Sequence, residues 1–296
     1  MDKTNTMGIK SMSVKECIAL AHDTSDEEVL CTLAKDENED VRHYVAWNKN
    51  TSAETLALLA KDENEYVRQA VAENENTPIE ILTVLAEDKY WGVLHHVAWN
   101  KNTPKKVLVT LAKDENWLVR DAVACNKNTP VEALAILAED YIWDIRQAVA
   151  KHGNTPANIL AVLAQDDDEF VRQTIAENRK TSSDILATLA KDESWFIRDI
   201  VAKHENTPTD ILVMLSKDEN PDVRDAVAWN KNSPAEVLVT LAQDKDSSVR
   251  KTVAMNKNTP TDILVMLFKD ESPSVCSAAN KALKERRMKS QQKQER

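Results

Sequence analysis

Hydrophobic and polar positions repeat along the chain with a period of 26 residues, ten times in succession without insertion or deletion. Counting positions 1 to 26 within a repeat, apolar residues occupy positions 5, 6 and 9, and a second apolar segment reads V-R-x-A-V-A from position 17. Each segment has the spacing of one apolar face on a short helix, and no period-two alternation indicates a strand. The pattern therefore predicts two helices per repeat. The repeats begin at Ser25, Thr51, Thr77, Thr103, Thr129, Thr155, Thr181, Thr207, Ser233 and Thr259.

Polar residues at fixed positions predict where these helices begin and end. Position 1 is Thr or Ser, position 2 is usually Pro and position 4 is often an acid, as at Thr77, Pro78 and Glu80. This order predicts a hydroxyl N-cap followed by Pro at the first helical position. Asp at position 12 is expected to end the first helix and cap the second. Asn is frequent at positions 24 and 26, where we expect a turn with left-handed backbone geometry.

Helices of about eight to ten residues are too short to be stable alone in water. Stacking successive repeats buries their apolar faces in one continuous core, as in solenoid proteins. The sequence therefore predicts an all-α, right-handed superhelical α-solenoid of ten two-helix repeats over residues 25–280. We expect residues 1–24 to form an N-terminal segment and capping helix, with Ser13 and Glu16 in capping-box spacing. Residues 281–296 are expected to be a basic tail, in part a short helix and in part disordered.

Composition is typical of a folded protein in a reducing compartment. Of 296 residues, 42% are hydrophobic and 29% are charged, and the formal net charge is −11. No apolar run is long enough to cross a membrane, and the N-terminus lacks the apolar core of a secretion signal. The cysteines show no paired spacing, which favours a cytoplasmic location. They are Cys17, Cys31, Cys125 and Cys276.

The motif NTPxxxLxxLAxDxxxxVRxAVAxN, from about Ser25 to Ala279, resembles the leucine-rich-repeat-variant (LRV) family, a bacterial relative of HEAT-like helical arrays. The resemblance implies a helical solenoid in which one helix of each pair can be a 3₁₀-helix, and the sequence alone does not decide this. It also implies that an iron–sulfur module can precede the repeats. Only Cys17 lies before Ser25, whereas a cluster requires about four thiolates. We therefore expect no iron–sulfur module and no other cofactor.

Arg occupies position 18 in eight repeats, and together with Asp at position 12 it could suggest an anion-binding or catalytic site. A residue that recurs in every repeat cannot mark one active site. We therefore expect these residues to form a ladder of ion pairs or caps within the scaffold, where a partly buried Arg requires its partner.

Position 15, between the two helices, differs strongly among repeats and changes from Glu to Trp, Pro or Ser. A position that accepts all four is expected to be exposed. Bulky residues at positions 13 to 16 collect in repeats three to seven, and we call this set the aromatic row. Such patches usually mark interaction surfaces, although rings folded over neighbouring repeats would instead seal the stack. The row comprises Tyr90, Trp91, Trp117, Leu118, Tyr141, Trp143, Phe170, Trp195 and Phe196.

A second tryptophan column lies at position 23, in Trp47, Trp99 and Trp229, about 12 Å further along the second helix. We expect these rings to pack on the following turn in a structural role. Repeat three departs from the pattern in having Gly92, Leu94, His95 and His96. Adjacent histidines on a helix point in different directions, while His152 and His204 lie two repeats apart. The sequence therefore predicts no metal site.

The leading hypothesis is a non-enzymatic scaffold that binds a protein or peptide through the aromatic row. The alternatives are a HEAT-like nucleic-acid-binding or DNA-repair enzyme and a purely structural spacer. A net charge of −11 makes a nucleic-acid partner unlikely on physical grounds, because phosphate contacts need Lys and Arg. Acidic residues around the row favour a basic or amphipathic partner. They are Glu115, Glu139, Asp140, Asp144, Asp167, Asp168 and Glu169.

Overall fold

The structure, a computed structural model, describes residues 6–9 and 11–294, and every regular element in those ranges is an α-helix. Two helices, Thr6–Ile9 and Val14–Asp23, precede the repeats. Each repeat then contributes two α-helices, so neither member of the pair is a 3₁₀-helix. The all-α repeat architecture predicted from the sequence is confirmed.

The first helices of the repeats contain seven residues each. They are Glu27–Leu33, Ala53–Leu59, Ile79–Leu85, Lys105–Leu111, Val131–Leu137, Ala157–Leu163, Ser183–Leu189, Thr209–Leu215, Ala235–Leu241 and Thr261–Leu267. The second helices contain nine residues, except for the last. They are Glu39–Trp47, Glu65–Glu73, Trp91–Trp99, Trp117–Cys125, Trp143–Lys151, Glu169–Glu177, Trp195–Lys203, Pro221–Trp229, Ser247–Met255 and Pro273–Gln294.

The chain divides into two compact units, Met1–Pro156 and Ala157–Arg296. Within each unit, the second helices of successive repeats pack side by side, and each first helix packs on its own second helix. The core is built from the predicted apolar positions. In repeat eight, Leu212 and Val223 are fully buried, and Leu215 is 1% exposed. Burying such a side chain contributes about 1.5–3 kcal/mol, which explains why helices this short persist.

The hydroxyl at position 1 caps a different helix from the one expected. The first helix of repeat three begins at Ile79, so Pro78 is the N-cap residue and Pro is not the first helical residue. The Thr77 hydroxyl donates a hydrogen bond to the carbonyl oxygen of Val71 at 2.5 Å and is 1% exposed. It thereby bonds to a carbonyl in the last turn of the preceding second helix, where the helix supplies too few N–H partners. The same bond recurs at position 1 in repeat two and repeats four to ten, at 2.5–2.6 Å.

Asp at position 12 supports the N-cap of the second helix and is not itself the cap. The Asp36 carboxylate accepts a hydrogen bond from the backbone N–H of Asn38 at 2.9 Å. Asn38 is the N-cap, and its side chain accepts from Asp40 N–H at 2.9 Å.

The expectation of left-handed backbone at the Asn positions is wrong, because no described residue has a positive φ. Asn at position 24 instead links adjacent repeats through its side chain. The Asn74 amide donates to the carbonyl oxygens of Ala46 and Asn48 at 2.8 and 3.0 Å, and Asn74 is 6% exposed. Asn suits position 24 because its side-chain amide can donate hydrogen bonds to backbone carbonyl oxygens of the preceding repeat.

Both ends of the array carry helices. Ser13 and Glu16 form the predicted capping box at the start of Val14–Asp23. At the other end, Pro273–Gln294 continues without a break past residue 280, so the described part of the predicted tail is helical and not disordered. Arg286 in this helix donates to the carbonyl oxygens of Lys257 and Thr259 at 3.0 and 2.6 Å. The predictions made for residues 1–5, 10, 295 and 296 lie outside the described residues.

Candidate functional site

The expected ladder of ion pairs is present, and each pair joins two repeats. We call each pair a rung: Arg at position 18 binds Asp at position 12 of the following repeat. The Nε–H and Nη2–H groups along one edge of the guanidinium donate to the two carboxylate oxygens, with Nε to Oδ2 distances of 2.5–2.7 Å. Rungs within the two compact units are Arg42–Asp62, Arg68–Asp88, Arg120–Asp140, Arg172–Asp192, Arg198–Asp218, Arg224–Asp244 and Arg250–Asp270.

The guanidinium groups of the rungs use most of their N–H donors within the scaffold. Arg198 also donates to the carbonyl oxygens of Asp192 and Glu193 at 2.8 and 3.1 Å, and its side chain is 10% exposed. Burial raises the pKa of Asp218, but hydrogen bonds from Arg198 and from the backbone of Asn220 lower it further, so its net pKa lies below the ordinary value. The rung is therefore a structural ion pair.

One rung is missing, between repeats three and four. Leu94 stands where eight of the other repeats have Arg, and among the described residues no ion pair reaches Asp114 of repeat four. Asp114 is half-buried and accepts a hydrogen bond from Asn116 N–H at 2.8 Å. This junction is thus the one place within the first unit where two repeats meet without the bidentate pair.

The four tryptophans at position 15 are exposed, as predicted for this column. Each is the first residue of a second helix. The exposed fractions are 42% for Trp91, 47% for Trp117, 36% for Trp143 and 44% for Trp195. Each of these side chains is therefore partly buried and keeps a large accessible area.

In the first unit, the aromatic row is larger than the sequence indicated, because Tyr66 of repeat two joins it. The ring of Tyr66 lies edge-on to Tyr90 at 6.2 Å between centroids, and Tyr90 lies 5.9 Å from Trp91. A Cβ atom at Gly92 would meet the Tyr90 ring at 2.7 Å. Gly92 therefore makes room for Tyr90, which explains a glycine inside a helix where it lowers helix stability. Tyr66 shares position 16 with Leu118 and could have been found from that column.

The bulky residues of repeats four and five are held by specific contacts. The guanidinium of Arg120 lies over the ring of Tyr141, 5.0 Å from its centroid, while Tyr141 remains 78% exposed. Leu118 is half-buried, and its carbonyl oxygen lies 3.0 Å from Nδ1 of His95. A cation over an aromatic face contributes about 0.5–1 kcal/mol at an exposed site, enough to favour one ring orientation.

The second unit contains Phe170, Trp195 and Phe196 of the aromatic row. Phe170 is 56% exposed and Phe196 is 41% exposed. The rings of Trp195 and Phe196 meet edge-on at 6.0 Å. The Ser194 hydroxyl donates to the carboxylate of Glu169 at 2.5 Å, so an acid lies directly beside this pair.

The acidic surroundings predicted for the row hold for five of the seven residues named, and two are corrected. Asp140 is the partner of Arg120, and its side chain is only 5% exposed, so it does not contribute a free charge. Asp168 is half-buried and caps the helix that begins at Glu169. The exposed acids are Glu115, Glu139, Asp144, Asp167 and Glu169.

The tryptophans at position 23 have large exposed areas. Trp47 stacks on His22 at 5.5 Å between ring centroids, which fits a structural role. Trp99 is 59% exposed and Trp229 is 66% exposed, and packing of these rings on the next turn stays a prediction. Trp229 also lines a groove in the second unit.

The histidines take part in the hydrogen bonding of the scaffold. Nε2 of His204 lies 3.1 Å from the carbonyl oxygen of Asn178, and Nδ1 accepts from Asn206 N–H at 3.1 Å. His204 thus performs the role of the Asn that other repeats have at position 24. Nδ1 of His96 lies 2.8 Å from the carbonyl oxygen of Gly92. Among residues 6–9 and 11–294, no three His, Cys, Asp or Glu side chains are grouped so that they could hold a metal ion.

Comparison with solved structures supports the fold. A protein described as a leucine-rich repeat variant with a novel repetitive structural motif is similar with a TM-score of 0.57 and 24% identity, over 78% of this chain and 87% of that chain. The resemblance to the LRV family is therefore confirmed for the fold. Importin beta, at 12% identity over 86% of this chain and 39% of that chain, reaches a TM-score of only 0.32. The Pds5–Scc1 complex reaches 0.36, at 13% identity over 94% of this chain and 58% of that chain.

No family model and no curated protein sequence matches the chain. No helix in the described part of the chain is both long and apolar enough to span a membrane.

Proposed function

We propose that this protein is a non-enzymatic repeat scaffold that binds a protein or peptide partner through the aromatic row. The observation that supports the proposal is the exposure of Trp91, Trp117, Trp143 and Trp195, which remain 36–47% exposed at the first position of the second helices of repeats three, four, five and seven. An evolved stack has no need of large apolar rings at a position where other repeats carry Glu, Pro or Ser. Exposed apolar patches of this kind mark interaction surfaces.

The scaffold presents these rings in a defined geometry. Trp117 begins a helix that also carries Arg120, whose rung to Asp140 fixes that helix against the next repeat. A partner that buries the indole therefore does not have to order the backbone that carries it. Truncating a central aromatic residue of an interface typically costs about 2–4 kcal/mol in binding free energy, and two such rings could support micromolar affinity.

Charge defines the partner further. The exposed acids Glu115 and Glu139 lie two residues before Trp117 and four residues before Trp143, and the exposed Asp144 follows Trp143 directly. A basic or amphipathic segment would meet complementary charge there, which raises association rates more than it raises affinity. A nucleic acid would be repelled by the same residues and by the net charge of −11.

A binding role without catalysis agrees with the chemistry of the polar residues. The arginines of the rungs donate hydrogen bonds to carboxylates and backbone carbonyl oxygens, as Arg198 does to Asp218 and Asp192. The recurring Asn and Thr side chains complete hydrogen bonds between and within repeats. We therefore assign the repeated polar residues to the scaffold and the variable positions to recognition.

The test uses the double variant Trp117→Ser/Trp143→Ser, with Trp99→Ser as the matched control for loss of an exposed indole. Partners captured from a lysate of the source cell by the wild type are identified by mass spectrometry, then purified, and their affinity for each variant is measured by calorimetry. We expect the double variant to weaken binding by on the order of 100-fold and the control by less than about threefold.

Circular dichroism must show equal helical content and melting temperature for all three proteins. Equal affinity of the wild type and the double variant would refute the aromatic row as the binding site. It would then favour the spacer alternative or another surface.

A further inference from the structure

A groove of about 830 Å³ lies at the opposite end of the second helices from the aromatic row, wholly within the second unit. It is formed by the ends of the second helices of repeats six to nine and by the turns that follow them. Its apolar part consists of Trp229, Met255 and Ile200. None of these residues belongs to the surface proposed above.

The apolar side chains in this groove are unusually accessible. Trp229 is 66% exposed and Met255 is 63% exposed, both at position 23 of adjacent repeats. Trp is the residue most often found as an interface anchor, and Met adapts its shape to different apolar partners. Together Trp229 and Met255 form an apolar surface on which one aromatic or aliphatic side chain of a partner can pack.

The groove carries an excess of positive charge in a protein with a net charge of −11. Four cationic side chains line it, against the acids Glu177 and Glu205. The cations are Arg179, Lys203, Lys231 and Lys257. We call this feature, with Trp229 and Met255, the basic groove.

Two of the four cations remain available to a ligand. Lys203 pairs with Asp199 at 2.7 Å, and Lys231 lies 3.8 Å from Glu205. Arg179 is exposed, and in the described part of the chain no carboxylate lies within ion-pair distance of Arg179 or Lys257. These two side chains can therefore bind an external carboxylate without breaking an existing pair.

The cationic side chains are not needed as hydrogen-bond donors to the backbone carbonyl oxygens of the groove. Carbonyl oxygens at position 25 already accept hydrogen bonds from the Asn at position 26 of the next repeat. The Asn206 side-chain amide donates to the carbonyl oxygen of Arg179 at 3.0 Å, and the Asn258 side-chain amide donates to the carbonyl oxygen of Lys231 at 2.8 Å. The same amides hold the groove walls in a fixed position, so a ligand meets a preformed site.

We propose that the basic groove binds an extended acidic segment of a protein partner, with an apolar side chain on Trp229 and Met255 and carboxylates on Arg179 and Lys257. The partner chemistry follows from charge complementarity and is opposite to that proposed for the aromatic row. The protein would therefore hold two segments of opposite charge, one at each end of its second helices.

The test uses two fluorescein-labelled peptide pools with a central Phe or Leu, flanked on each side by three acidic residues in one pool and by three basic residues in the other. Fluorescence anisotropy with the full chain should show saturable binding of the acidic pool, at least tenfold tighter than the basic pool. Trp229→Ser and Arg179→Glu/Lys257→Glu should each weaken it at least tenfold. Raising the salt concentration should also weaken it, since the carboxylate contacts are exposed.

Matched controls separate the groove from general effects. Trp99→Ser removes an indole from the same column in the first unit, and Lys191→Glu/Lys217→Glu makes the same charge change outside the groove. If either control weakens binding as much as the groove variants, or if the acidic pool does not bind saturably, the proposal is overturned.

A benzophenone at the central residue of the acidic pool gives a readout that needs no variant. Crosslinks should map to the second helices of repeats eight and nine around Trp229 and Met255, and crosslinks elsewhere would contradict the site. Because Trp117→Ser/Trp143→Ser leaves the groove unchanged, it should bind the acidic pool like the wild type. Failure of this proposal is therefore distinguishable from failure of the aromatic row.

Discussion

Replacing Arg198 by Leu removes one rung of the ladder and tests whether the rungs stabilise the fold. Arg198 makes four hydrogen bonds, two to Asp218 at 2.6 and 2.9 Å and two to the backbone carbonyls of Asp192 and Glu193 at 2.8 and 3.1 Å. Without Arg198, the Asp218 carboxylate, 8% exposed, keeps only its bond from Asn220 N–H. We therefore expect unfolding free energy to fall by about 3 kcal/mol, the low end for breaking a buried pair, because the truncation also admits water.

Urea unfolding followed by circular dichroism measures this loss, and hydrogen exchange of peptides from residues 183–232 shows whether it is local to the rung. Asp218→Asn and the double variant complete a mutant cycle, in which we expect a coupling energy of about 1–3 kcal/mol. Arg179→Leu is the control, since it makes the same substitution at an exposed arginine outside the ladder and should cost less than about 0.5 kcal/mol. A loss for Arg198→Leu no larger than that of the control would refute the structural role of the rungs.

Two further predictions concern the same ladder. Leu94→Arg supplies the missing partner of Asp114, and we expect the melting temperature of the first unit to rise by about 2–4 °C. Leu94→Lys lacks the planar guanidinium and should raise it by less than half as much. A fall in melting temperature for Leu94→Arg would show that repeat three excludes a rung. In the folded protein, the pKa lies below the ordinary value of about 3.9 for Asp88, Asp218, Asp244 and Asp270. The ionised carboxylates therefore contribute their full stabilisation above about pH 3.9, and this stabilisation is lost as pH falls through the lower folded-state pKa values. The urea midpoint should begin to drop near pH 4, and less so in Asp218→Asn; an equal midpoint at pH 3 and pH 7 would contradict this.

The architecture could be predicted from the sequence because the signal repeats ten times. The apolar residues at positions 5, 6, 9, 17 and 21 identify both helices, and invariant Asp with Arg at position 18 predicts an ion-pair ladder. What the repeats did not reveal is which partner each polar residue takes. From the sequence, Asn74 is equally compatible with a turn and with a hydrogen bond to Ala46. Thr77 is equally compatible with an N-cap and with a hydrogen bond to Val71. Only the relative placement of the helices decides between these alternatives.

The candidate surfaces were predicted in part, for a related reason. Exposure of Trp117 follows from variation within its column, because a buried site would not accept Glu or Pro. The basic groove joins position 23 of repeats eight and nine with position 25 of repeats six, eight and nine, and these columns look unrelated in the sequence. Asp140 shows the opposite error, since an acid that seems free in the sequence is the partner of Arg120.

The hydrogen bonds between repeats have a consequence for how such a chain can change over time. Most internal repeats offer the same two halves of the joint: a guanidinium that reaches forward, as Arg224 reaches Asp244, and an amide that reaches back, as Asn230 reaches Ala202. The exceptions are repeat three, with Leu94 in place of Arg, and repeats five and seven, with His152 and His204 in place of Asn. Repeats that carry both groups can follow one another, so an in-frame duplication, deletion or exchange among them creates no unmatched partner. Recombination between copies could lengthen the array or reorder its variable positions, and new combinations of surface residues would arise on a fold that needs no further adjustment.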